Sequence, residues 1–174
     1  DEARAVVDLL ASSFPAGVTL SMHIDDDLPA LDIDRSHLYR ILVNLCLNAR
    51  NAVDEPGEVS ISAHRVDVDP AEVCASCHAE FAGEFVRIAV SDEGCGIPQA
   101  IHDRIFEPFF TTREPGMGAG MGLAVVHGLV HLYQGHVQMR SVPGQGSTLA
   151  ILWPRSLWHA EAASEESPAG TAAD

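Results

Sequence analysis

At 174 residues, 47% of them hydrophobic, the chain is long enough for one domain with its own core and too apolar to stay unfolded. Lys and Arg together number 10, all of them arginine, against 25 acidic residues; the net charge of -15 repels nucleic acid and anionic lipid. No apolar run approaches the roughly 18 residues needed to cross a bilayer, "DEARAVVDLL" does not read as a signal peptide, and the cysteine pattern suits a reducing cytoplasm better than a disulfide framework. In chain order, "ARAVVDLLASSF" has helical spacing and stops before Pro15-Ala16-Gly17, and "VTLSMHI" alternates like a strand. Asp34 is a fitting N-cap for a long helix, "RSHLYRILVNLCLNARNAV", which runs to about Val53 and is closed by Pro56-Gly57. Alternation and β-branching predict strands in "EVSISAHRV" and "EFVRIAVS", with "DVDPAEVCASCHAEFAG" as a surface insertion between them. A second helix, "MGLAVVHGLVHLY", stops at Gly135; strands "HVQMRSV" and "STLAILW" follow, joined by the turn Pro143-Gly144-Gln145-Gly146. From Ser156 the Ala, Glu and Ser composition reads as a disordered tail, which leaves 1–155 as the domain and 156–174 as the tail. The fold class expected is α+β: a two-layer α/β sandwich, a mixed sheet with helices on one face.

Four patches carry chemistry. In the long helix, Arg40, Asn44 and Asn48 recur at helical spacing and share a face, and amides in an apolar helix are costly unless they find partners. "SDEGCGIP" ends a strand with Asp92 beside Gly94 and Gly96, so a carboxylate stands next to bare backbone over which a ligand can slide. "IFEPFFTTR" sets three phenylalanines before Thr111, Thr112 and Arg113. "GMGAGMGL" then alternates glycines into a helix N-terminus, a place that favours anions. Two familiar phosphate binders fail on spacing. After Gly118 and Gly120 a dinucleotide fingerprint needs a third glycine where Leu123 stands, and a P-loop needs a lysine that the chain does not contain.

Taken jointly and in this order, the four patches resemble the ATP-binding domain of bacterial sensor histidine kinases, of the nitrogen-regulation and hybrid-kinase type. The resemblance covers roughly residues 20 to 154: "NLCLNARNAV" is similar to the N box, "DEGCGIP" to the first glycine box, "FEPFFTT" to the F box and "GAGMGL" to the second glycine box. It implies a Bergerat fold in which ATP lies between the long helix and a mobile lid. It further implies that Asn48 holds Mg²⁺ on the phosphates with Asn44 beside it, and that Asp92 accepts from the adenine amine. Gly94 and Gly96 would make room for the base, while Gly118, Gly120, Gly122 and Leu123 form the lid hinge and phosphate contact. Ser147 or Thr148 would help to hold adenine through water. Arg113 stands where lysine is common, and Ala119 and Met121 where Thr and Leu are common; these are the departures from the pattern.

Related ATPases with this fold place a glutamate one turn before the Mg²⁺ asparagine, as general base for water. Asn44 occupies that position here and cannot take a proton, which favours phosphoryl transfer over hydrolysis. The implied activity is that of an ATP-dependent histidine kinase whose acceptor histidine lies on a separate dimerisation and phosphotransfer domain, with a response regulator receiver as the next partner. The alternative is a regulatory ATP-binding module without transfer. The domain is expected to be cytoplasmic, with no nucleic-acid partner and no direct membrane contact, though its parent can be membrane-anchored. Two histidine features stand outside this frame. "HGLVH" puts His127 and His131 on one helical face, but Gly128 replaces the glutamate of a zincin, so both are expected to be solvated. "CASCH" (residues 74 to 78) matches the c-type haem signature, a zinc knuckle joined by His78 or His64, a thiol pair or an inert insertion. With neither Cys46 nor Cys95 an easy fourth ligand, no stoichiometric metal is expected there.

Overall fold

The computed structural model describes residues 4–5, 14–112 and 120–159. Its sheet is built from β1 (Val18–Ile24), β2 (Gly57–Val73), β3 (Glu80–Asp92), β4 (His136–Val142) and β5 (Gly146–Pro154), in the order β1-β2-β3-β5-β4. β1 runs parallel to β2 and the other neighbours pair antiparallel, so the sheet is mixed. The helix that connects the parallel pair is α1 (Arg35–Ala52), and α2 (Gly122–Leu132) leads into β4. The predicted first helix lies outside the described residues except for Arg4 and Ala5, which are helical.

Local chemistry sets the ends of α1. Asp34 caps it by accepting from Ser36 N at 2.7 Å, which satisfies one of the otherwise orphaned N–H groups. Tyr133, just past α2, adds a second clamp: its hydroxyl accepts from Asp34 N at 3.2 Å and lies 2.7 Å from His37 Nδ1. The apolar stripe of α1, Ile41, Leu42, Leu45, Cys46 and Ala49, is buried together with Val126 and Val130 of α2. Burial pushes the Cys46 thiol up to about 12, so it serves as a small apolar side chain. From the sheet, Val59, Ile61, Ile88, Val90, Leu149, Ile151 and Trp153 complete this core. Sheet and helices thus form the two layers expected.

The insertion predicted between two strands is not an insertion. β2 and β3 continue through it as one long hairpin, with Val73 opposite Glu80 and a tight turn at the CASCH segment. The acidic residues and Pro70 conceal this in the sequence. Pro70 lies within a register shift between Val68 and Glu72, where a bulge relieves the ladder of the N–H that proline lacks. The tip of the hairpin reaches the outer strand β4: Ala75 N donates to Val137 O at 2.7 Å, and Gln138 Nε2 donates to Glu72 at 2.6 Å. At the other end of the chain, a short 3-10 turn (Arg155–Leu157) and a bridge between Trp158 and Leu31 cover part of the segment assigned to the tail; residues 160–174 lie outside the described residues.

Candidate functional site

Strand periodicity delivers the first site residue. Val86, Ile88 and Val90 point from β3 into the helix-facing core, so Asp92, next in the same parity, emerges on that face at the strand's end. Its partner across β5 is Ser147, in line with Leu149, Ile151 and Trp153; Ser91 and Thr148 form the neighbouring pair on the opposite face, their hydroxyls 2.8 Å apart. Periodicity therefore separates two residues that the sequence treats as equivalent. Ser147 lines the cavity described below, whereas Thr148 does not.

That cavity has a volume of about 580 Å³, within the usual range for a small-molecule site. Asn44, Asn48 and Asn51 line one wall from α1, and Gly120, Met121, Gly122 and Leu123 approach from the start of α2. Ile97, Pro98, Ile101 and Ile105 supply an apolar wall, with Phe110, Thr111 and Thr112 at its far side. Arg40, on the same helical stripe as the asparagines, is exposed instead. Asn44 Nδ2 donates to Arg40 O at 2.8 Å, which fixes the amide. A Cβ at Gly122 would stand 3.0 Å from Asn44 Oδ1, a tight contact that would press on the fixed amide where α2 starts against α1.

The glycines after Asp92 do two different things. Gly94 presses on the last turn of α1, where any Cβ would collide with the Ala52 carbonyl; Cys95 N donates to that same carbonyl at 2.9 Å. Gly96 takes φ +70° and lines the cavity. The Asp92 carboxylate accepts from Gly94 N at 2.9 Å. Burial raises its pKa, outweighing the backbone N–H groups of Gly94 and Ser147 that lower it. A desolvated carboxylate at the floor of an otherwise uncharged pocket is a specific acceptor for a ligand N–H. Among the described lining residues it is the sole ionisable acid. Arg113 and Gly118 lie outside the described residues.

A model of the family described as histidine kinase-, DNA gyrase B- and HSP90-like ATPases matches residues 33–157. The chain belongs to this family. Within it the similar proteins are sensor kinases. The chain is 34% identical to sensor kinase CckA of Brucella abortus over 86% of its own length and 16% of that protein. It is 35% identical to sensor histidine kinase ZraS of Escherichia coli strain K12 over 80% of its length and 26% of that protein. It therefore spans 16% to 26% of the length of these relatives. The full-length structure of ShkA in complex with AMPPNP superposes with a TM-score of 0.69 at 28% identity, covering 88% of this chain and 29% of that one. The nucleotide-free catalytic domain of histidine kinase ThkA gives a TM-score of 0.68 at 22% identity, covering 88% and 90%, and shares the fold.

The cavity also contains residues to which the four sequence patches assign no role. Asn51 falls one turn after Asn48 on the same face, and spacing alone could have found it. Ile101 and Ile105 could not have been found so, because they are placed by a 3-10 turn (Gln99–Arg104) that no periodicity announces.

Proposed function

We propose that this chain binds Mg-ATP in the cavity between α1 and the start of α2, and donates the γ-phosphoryl group to a histidine on a separate domain. The observation that carries this reading is the half-buried Asp92, its pKa raised by desolvation, facing a cavity whose α1 wall presents asparagines and, among the described residues, no carboxylate. The adenine amine would donate to Asp92, and the base would lie against Ile97, Ile101 and Ile105. The amide oxygen of Asn48 would hold Mg²⁺, which neutralises charge on the phosphates when bound. A hard cation accepts neutral amide oxygens, so the residues present fit it. Gly120, Gly122 and Leu123 would follow the phosphates, and the motif resemblance assigns Arg113 the part of a cation for them.

In the transfer, the bond from the γ-phosphorus to the bridging oxygen breaks, ADP leaves with that electron pair, the unprotonated imidazole nitrogen of the acceptor forms the new bond with its lone pair, and the proton on the other ring nitrogen passes to solvent. Asn44, tied to Arg40 O, supplies no base for water, so hydrolysis is slow in comparison. In this reading the parent is a two-component sensor kinase whose catalytic domain works in the cytoplasm and whose phosphoryl group passes on to a receiver domain. No helix among the described residues is long and apolar enough to cross a membrane. The nitrogen-regulation and hybrid-kinase subtype rests on the motif resemblance.

The test supplies a phosphoacceptor hairpin domain to the chain with labelled Mg-ATP. Acid-labile label should pass to the hairpin, and Asn48→Ala should abolish transfer while retaining most nucleotide affinity. Tight ATP binding with no transfer to the hairpin would establish a regulatory module instead.

A further inference from the structure

The CASCH turn, which the proposed activity leaves unused, meets two histidines at the far edge of the sheet. Sγ of Cys74, Sγ of Cys77 and a ring nitrogen of His136 all lie within 4.8 Å of one another. His131 closes on the same point, with Nε2 3.9 Å from Cys74 Sγ and 2.9 Å from Ser76 Oγ. We propose that Cys74, Cys77, His131 and His136 form a structural zinc site that clasps the β2–β3 hairpin to the end of α2 and the start of β4.

Three independent observations support the site. The first is spacing. Cys74-x2-Cys77 and His131-x4-His136 fall within the C-x2–4-C and H-x3–5-H pattern of structural Cys2His2 zinc, although the halves lie far apart in sequence. The second is geometry. Zinc bonds of about 2.3 Å to sulfur and 2.0–2.1 Å to nitrogen put tetrahedral ligand atoms about 3.3 to 3.8 Å apart, so the three atoms within 4.8 Å stand about 1 Å from that spacing at most, and His131 Nε2 lies close to it from Cys74 Sγ. The third is an unmet need. His136 Nδ1 is buried and has no hydrogen-bond partner among the described residues, a costly state for a polar atom, while the ring stacks on Phe81 at 4.5 Å.

The surroundings favour neutral imidazole and a Cys74 thiolate, while burial and the adjacent Cys74 push the Cys77 thiol up. Val137 N donates to Cys74 Sγ at 3.3 Å. Burial opposes ionisation of Cys74, yet N–H groups of Val137, Ser76 and Cys77 bring its pKa below the ordinary value. Burial pushes both histidines down, and for His131 the neighbours His127 and His136 add to it. Zinc entry would release one proton from each thiol, and the Ser76 hydroxyl would yield its place on His131 Nε2.

Neither His78 nor His64, the histidines that a zinc knuckle could add to the cysteines, is a ligand in this site. His78 takes the left-handed position at φ 62° that closes the turn, and His64 pairs with Arg87 inside the sheet. Nor are His127 and His131 solvated: His127 Nδ1 is buried, and His131 meets the hairpin. The expectation of no metal followed from the lack of a fourth ligand, and the folded chain supplies one.

The chain, purified without chelators under reducing conditions, should carry one zinc ion per molecule by elemental analysis. Replacement by Co²⁺ should produce a thiolate charge-transfer band and the visible bands of a tetrahedral centre. Chelation should lower Tm by at least about 5 °C while ATP still binds to the refilled protein. Cys74→Ser with Cys77→Ser should abolish the stoichiometric zinc, and His131→Ala should shift the cobalt spectrum. If that double variant does not fold, the cobalt spectrum of the parent chain still decides. Absence of zinc together with absence of a thiolate band after cobalt loading would overturn the proposal, as would zinc retained by the double variant. A cobalt spectrum unchanged by His131→Ala would overturn the four-residue assignment.

Discussion

Asp92 is costly to the folded chain, and that cost is measurable apart from its use. A carboxyl whose pKa is raised on folding holds its proton more tightly in the folded than in the unfolded state, so stability falls as pH rises through that range. The penalty is complete once pH exceeds the folded value and vanishes below the unfolded value of about 3.9. Asp92→Asn keeps an oxygen for Gly94 N–H and removes the charge. The nucleotide-free variant should therefore be more stable than the parent in urea at pH 7, with the difference closing towards pH 4 or below. Its ATP affinity, by calorimetry, should fall roughly tenfold or more, because a charge-assisted hydrogen bond contributes about 1.5–3 kcal/mol. A variant that loses stability at pH 7, or keeps full affinity, would contradict this account of Asp92.

At the level of elements, α1 carries the asparagines, and its first turn is held from outside by Tyr133. Tyr133→Phe keeps the ring packed edge-on to Trp153 but removes the hydroxyl shared by Asp34 N and His37. It should cost about 1 kcal/mol, seen as a lower urea midpoint with unchanged slope. Asp34→Ala should cost about the same through loss of the cap. Because both act on the same turn, the double variant should lose less than the two costs added. An unchanged midpoint in Tyr133→Phe would show the clamp to be energetically idle. This helix was legible in the sequence because cap, apolar spacing and Pro56-Gly57 agree; β1, with apolar residues at every second position, and β4, bounded by Gly135 and the Pro143-Gly144 turn, match their predicted spans. The outer arm of the hairpin was not legible. Of its residues 67 to 73 only Val68 is buried, so periodicity had almost nothing to report, and the arm is held by partners on β4 that no local pattern contains. The cavity divides similarly: Asp92 and the asparagines advertise themselves through residue type, while its apolar wall depends on how a loop folds back.

Across the whole molecule, acidic residues outnumber arginines by more than two to one, yet among the described residues the cavity wall holds one acid, Asp92. Charge is carried on the outside, where water screens it, and withheld from the place where a polyanion would have to approach.

The pairing of the sheet has a kinetic side. Val73 meets Glu80 across a few residues, whereas Val18 meets Gly57 only after the whole crossover containing α1 has been closed. Contacts near in sequence form with little loss of chain entropy, and distant ones must wait until something else repays it. The hairpin should therefore belong to the folding nucleus and the parallel edge strand should join late. Val86→Ala, in the hairpin, should slow refolding with a φ-value of about 0.5 or more, while Val18→Ala should act chiefly by hastening unfolding. Stopped-flow chevrons on the two variants would show it, and a larger φ-value at Val18 than at Val86 would reverse the order. An edge strand that docks last is also the first to leave. The route by which this domain is lost to proteolysis would then begin at β1, on the opposite side of the sheet from the clasped hairpin tip.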